Sequence, residues 1–190
     1  MAHNMVFLLD TSLSMRKSYN DLTPNKLVAV RDAVDYIVVK LLKKTSIPVR
    51  IGMTVFFGKA YPILNPTRDY SLALDALSRL RIMGEGSAPG DGVIVSVKIL
   101  RRVHGSKDVI MITDGGFNMG IPLDVASIYA KNSSVRLNIV CLGRIRENDL
   151  LLVEQAVKNT GGTMHTVETK AELYSVLKNT VEHITGKQYD

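Results

Sequence analysis

The sequence predicts an α/β domain built on a doubly wound, mostly parallel six-stranded sheet with one antiparallel edge strand and helices on both faces. Three observations predict it. Two continuous apolar runs, Met5-Val6-Phe7-Leu8-Leu9 and Val109-Ile110-Met111-Ile112, lead to aspartates, Asp10 and Asp114; runs of this length suit strands buried on both faces of a parallel sheet. Segments with apolar residues at helical spacing alternate with β-rich runs, the pattern of βα units. Two further β-rich runs are separated only by Gly58-Lys59, and Pro62 in the second confines it to a sheet edge.

Taken in order, residues 5–10 form the first strand and 16–23 a polar loop. Over residues 26–44, Leu27, Val30, Val34, Ile37, Val38 and Leu41 recur on one side. Lys26, Arg31, Asp35, Lys40 and Lys43 fall on the other, the solvated face of an amphipathic helix. Residues 50–57 and 60–64 form the hairpin, and Thr67-Arg68-Asp69 offers caps for a helix over 71–80. The Gly-rich stretch 83–92 follows, with Asp91 as the expected N-cap of a helix over 92–103. After the strand ending at Thr113, Pro122 suits the N1 position of a helix to Lys131. A strand over 135–142, a helix over 148–160 stopped by Gly161-Gly162, a short strand over 163–167 and a closing helix over 171–184 complete a Rossmann-like order. No internal repeat, linker or low-complexity segment divides the 190 residues, which read as one domain.

The chain is 46% hydrophobic with a formal net charge of +6. Nine Lys/Arg against four Asp/Glu in residues 1–60 supply much of that excess. They are dispersed among apolar positions, as on solvated helix faces, and form no run of the kind a nucleic-acid binder carries. The single cysteine, Cys141, sits in an apolar run and reads as core. The first apolar run is too short for a signal peptide, and no stretch approaches the ~18 apolar residues of a membrane span, so the expected location is the cytoplasm.

Chemistry concentrates where strands end. In doubly wound sheets ligands bind beyond the carboxyl ends of the strands, where strand order reverses. If the strands ending at Asp10 and Asp114 are neighbours there, Asp10, Ser12, Ser14, Asp114 and Ser87 of the Gly-rich loop can meet in one crevice. The donors are all oxygens, and His3, His104, His165 and His183 have no metal-ligand spacing. The expected ion is therefore hard: Mg²⁺, with Mn²⁺ and Ca²⁺ as further candidates. Three hydroxyls and two carboxylates leave room for water and for an oxygen from outside, which suits docking better than catalysis.

Asp10-Thr11-Ser12-Leu13-Ser14 matches D-x-S-x-S and Ile112-Thr113-Asp114-Gly115 matches h-T-D-G. With a Gly-rich loop between them, the chain resembles von Willebrand factor type A (VWA) domains over essentially its whole length. The resemblance implies a metal-ion-dependent adhesion site, in which the motif serines and a middle-loop threonine hold Mg²⁺ and the aspartates bind directly or through water. The middle-loop pattern G-T-x-x-G-D here reads Gly86-Ser87-Ala88-Pro89-Gly90-Asp91, so Ser87 stands in for the threonine, with the same hydroxyl but a freer χ1.

The expected function is a non-enzymatic, metal-dependent protein-interaction module, an adaptor or scaffold subunit that docks a partner's Asp or Glu. The resemblance implies partners such as AAA+ ATPases or multi-subunit complexes. An alternative is a subunit of a nucleic-acid-processing complex that uses the basic first-helix region. A remote alternative, an aspartate-based phosphatase of the haloacid-dehalogenase type, needs an acid two residues after Asp10, where Ser12 stands. In adhesion-type relatives the last helix slides on ligand binding; the regular apolar face of residues 171–184 predicts firm docking here.

Overall fold

The computed structural model describes residues 2–44 and 46–186. Six strands, β1 (His3–Asp10), β2 (Val49–Phe56), β3 (Ala60–Thr67), β4 (Ser106–Thr113), β5 (Arg136–Leu142) and β6 (Met164–Val167), form one sheet in the order β3-β2-β1-β4-β5-β6. β3 pairs antiparallel with β2, and every other pairing is parallel. From β1 the chain builds outward through β2 and β3, then returns to place β4 on the other side of β1. Strand order therefore reverses between β1 and β4, as a site spanning Asp10 and Asp114 requires.

Six α-helices cover the sheet: α1 (Lys26–Tyr36), α2 (Tyr70–Ser78), α3 (Pro89–Leu100), α4 (Leu123–Asn132), α5 (Glu147–Thr160) and α6 (Lys170–Thr185). Alternation along β1 divides the core. Met5, Phe7 and Leu9 pack with residues of α1, α2 and α6, including Val30, Val34, Leu77, Leu177 and Val181. Val6 and Leu8 pack on the opposite face with Val93 and Val97 of α3, Ala126 of α4 and Val153 of α5. Each such side chain removed fully from water contributes about 1.5–3 kcal/mol before ordering entropy. Among the described residues no helix is long and apolar enough to cross a membrane.

Several local expectations are corrected. The first helical segment does not stay α-helical to residue 44: it becomes a π turn over Ile37–Leu41 and a 3₁₀ turn over Leu42–Lys44. The wider turn aligns the adjacent pairs Ile37/Val38 and Leu41/Leu42, all buried, toward the core. The edge strand β3 runs on to Thr67, past Pro62 and Pro66, with irregular register opposite Ile51–Thr54. Asp91 is not the N-cap of α3. The helix starts with Pro89, Ala88 holds the cap position, and Asp91 lies in the first turn, where its Oδ1 accepts Ile121 N–H at 3.0 Å. Pro122 is the N-cap of α4 rather than its N1 residue. The closing helix α6 opens on a Thr169/Glu172 capping box and buries Leu173, Leu177, Val181 and Ile184, the firm docking its apolar face predicts.

Candidate metal centre

Asp10 is the last residue of β1 and is fully buried. Its Oδ1 accepts the Ser12 amide at 2.9 Å, a tight turn that brings the serine back over the strand end. Its Oδ2 accepts the Thr113 hydroxyl from the end of neighbouring β4 at 2.7 Å. Thr11 pins the same turn sideways, with its amide and its hydroxyl both donating to the Phe56 carbonyl on β2.

From Ser12 a chain of hydroxyls runs across the switch point. Ser12 Oγ lies 2.9 Å from Ser14 Oγ, and Ser14 Oγ donates to Asp114 Oδ1 at 2.8 Å. The second Asp114 oxygen is taken by the Lys26 ammonium in an ion pair, with Lys26 and Asp114 side chains only 11% and 5% exposed. Four of the five expected residues are thus joined in one network.

Ser87 reaches the same edge through the backbone. Met83 N–H donates to the Thr11 carbonyl, Gly84 bridges Ser12, Gly58 N–H donates to Glu85 and Ala88 N–H donates to Phe57. Gly86 supports this path with φ +77°, where a Cβ would lie 2.2 Å from Met119 Sδ. Asn118 clasps Ser87 from the loop after β4, accepting its amide at 2.9 Å and donating to its carbonyl at 3.1 Å. The serine backbone is therefore fixed, yet its hydroxyl, on a residue 3% exposed, has no hydrogen-bond partner.

Electrostatics at this edge are one-sided. Burial, and secondarily the Asp114 charge, push the Asp10 carboxyl up to about 7 despite hydrogen bonds from Ser12 and Thr113. Two carboxylates share the crevice, and the ammonium there bonds Asp114 alone. No cluster of three or more His, Cys, Asp or Glu suited to a metal occurs among the described residues. The donors gathered here are mainly hydroxyls backed by two carboxylates, chemistry suited to a hard cation rather than to zinc-type nitrogen and sulfur ligation.

Three participants were not among the expected site residues. Lys26, expected on the solvated side of the first helix, is instead buried against Asp114; opening α1 immediately beyond the loop was its one signal. Thr113 stands inside I-T-D-G, but its donation to Asp10 from the end of the neighbouring strand is seen only in the fold. Asn118 carries no pattern of its own in the sequence.

Comparison with known proteins agrees with this architecture. A UPF0353 protein from Mycolicibacterium paratuberculosis is 23% identical over 95% of this chain, and the alignment spans 62% of that protein. The chain thus matches less than two thirds of that relative's length. The structure of a conserved hypothetical protein, BatB from Bacteroides thetaiotaomicron, superposes with a TM-score of 0.80 at 19% identity, covering 97% of this chain and all of that one. Proximal thread matrix protein 1 from the mussel byssus, solved with a zinc-occupied MIDAS motif, gives a TM-score of 0.74 at 17% identity, covering 96% of this chain and 45% of that protein. Residues 5–117, more than half of the sequence and including both strand-end motifs and the loop carrying Ser87, match the von Willebrand factor type A domain, and the chain belongs to that family of protein-interaction modules.

Proposed function

We propose that the chain is a metal-dependent docking module whose carboxyl edge holds a divalent cation, Mg²⁺ foremost, through Asp10, Ser12, Ser14, Ser87 and Asp114. The orphaned Ser87 Oγ carries this reading. A buried hydroxyl with no partner costs about 1–3 kcal/mol, and a buried carboxylate with no cation beside it more, and a divalent cation would offset both. Asp10, deeply desolvated beside Asp114 with no cation bonded to it, supports the same conclusion. The zinc-occupied motif of the mussel byssus protein is consistent with it.

The chain's own residues then have distinct tasks. Asp10 orients Ser12 through its amide, and Thr113 holds the second Asp10 oxygen. Ser14 couples Ser12 to Asp114, and Asn118 fixes the backbone of Ser87. When bound, the ion supplies a Lewis-acidic position for a carboxylate offered by a protein partner. The arrangement favours docking over turnover: Ser12 stands where an aspartyl phosphatase needs its acid.

Isothermal titration with Mg²⁺ and Mn²⁺ tests the reading. Saturable one-site binding is expected, weakened by Ser14→Ala; no binding by the wild-type chain at millimolar metal would overturn it.

A further inference from the structure

We infer that Lys26 is a tethered competitor of the metal, a built-in ammonium that sets how much divalent cation the site needs before it fills. The inference rests on the metal-site reading above and deepens it.

Lys26 is oddly placed for a lysine. It is the first residue of α1, with Asn25 as the N-cap, and no acidic residue lies in the first turn. The positive end of a helix dipole disfavours a cation there. Lysine is also among the residues least often buried, yet Lys26 is 8% exposed. Its amide is fixed by the Lys17 carbonyl, which roots the side chain beside the Leu13–Arg16 turn that carries Ser14. What offsets the placement is Asp114 Oδ2. Among the described residues this is the ion pair made by the candidate ligands.

Asp114 is fully committed in this state: Ser14 occupies Oδ1 and Lys26 occupies Oδ2. A cation that engages Asp114 shares the carboxylate with the ammonium or displaces it, and in either case meets that positive charge. Even with water-like screening, repulsion between a single and a double positive charge roughly 6 Å apart corresponds to about tenfold in affinity. Lys26 thus stabilises the metal-free site and weakens metal binding by the same contact. Filling the site releases a four-carbon side chain carrying its charge to the rim.

The test compares wild type with Lys26→Gln, which removes the charge and keeps an N–H donor on a side chain one methylene shorter, and with Lys26→Met. Mn²⁺ affinity is measured by titration, and melting midpoints with and without Mn²⁺. We expect Lys26→Gln to bind Mn²⁺ about tenfold tighter or better, to melt lower without metal and to gain more from it; Lys26→Met should follow the same trend. A second measurement on the wild type needs no variant: acylation of Lys26 at fixed pH, mapped by mass spectrometry, should be slow without Mn²⁺ and faster with it. Equal affinity in wild type and Lys26→Gln, or an unchanged acylation rate in protein shown to be metal-bound, overturns the role of Lys26 and leaves the metal site standing. Absence of Mn²⁺ binding in all three proteins overturns the metal site itself, and this inference with it.

Discussion

Asp108 and Asp10 are both fully buried carboxylates on adjacent parallel strands, β4 and β1, but they lie at opposite ends of the sheet. The chain treats them differently. Asp108, at the amino edge, faces Arg136 directly across the β4–β5 ladder, with Nε at 2.8 Å and Nη2 at 3.0 Å, and Asn138 adds a further donor at 3.3 Å. Its charge is compensated by a planar fork that matches a carboxylate. Asp10, at the carboxyl edge, has only neutral donors, a second carboxylate beside it and an orphaned serine hydroxyl at the same edge. A buried acid completed by the chain is architecture. One held by neutral donors at a topological switch point is, on the proposed reading, the place where a cation from outside binds.

The largest effect is expected from Asp10→Asn. It should abolish Mg²⁺ and Mn²⁺ binding in a titration and still raise the metal-free melting midpoint at pH 8. The sign follows from linkage. The folded-state pKa of about 7 lies above the unfolded value of 3.8, so the folded state holds the proton more tightly. Stability from this group is full below the unfolded value, falls as pH rises toward 7, and above that costs on the order of 4 kcal/mol. Without metal, wild type should therefore lose stability from pH 4 to pH 8 and Asp10→Asn should lose much less, as read from denaturant midpoints.

Next in size is Arg136→Met at the completed edge. Removing the partner of a buried carboxylate should destabilise the fold by about 3 kcal/mol in urea unfolding and leave the metal dissociation constant unchanged. Ser87→Ala should do the reverse. Its buried hydroxyl makes no hydrogen bond to lose and its desolvation is uncompensated, so metal-free stability should hold or rise, by up to about 1–3 kcal/mol. Metal affinity should drop about tenfold or more, since outer-shell losses alone cost that much.

The smallest effect concerns Cys141, a desolvated group near the carboxyl end of β5 that has no task in this scheme. Burial, and then the Asp149 charge, push its thiol up to about 12. At pH 8 an aromatic disulfide reagent should leave it unlabelled until denaturant is added. Fast labelling of the folded chain would mean that burial at this edge is looser than the comparison assumes.

The α/β class, the antiparallel edge strand and the helices on both faces were legible in the sequence, and so were the strand-end residues Asp10, Ser12, Ser14 and Asp114 that hydrogen bonds join, because the apolar runs end in motifs whose spacing is set by strand and turn geometry. What escaped depended on tertiary approach. Lys26 sits at helical spacing with the solvated residues, and only the fold shows that the start of α1 abuts Asp114. Asp91 looked like a cap because it precedes Gly92 and an apolar stretch; Pro89 starts the helix earlier, and the freed carboxylate binds Ile121 instead. Asn118 has a role only because its loop folds back onto Ser87, a contact between residues 31 positions apart. The π turn at Ile37–Leu41 was hidden because its apolar residues fit an α-helical period nearly as well.

The most direct test of incompleteness at one edge and completeness at the other is the melting midpoint with and without Mn²⁺ for wild type, Arg136→Met and Asp10→Asn. A ligand that binds only the folded state raises it by mass action. The account predicts similar upward shifts for wild type and Arg136→Met and none for Asp10→Asn. A wild-type midpoint that stays flat up to millimolar Mn²⁺, or an Asp10→Asn midpoint that rises with it, would contradict the account.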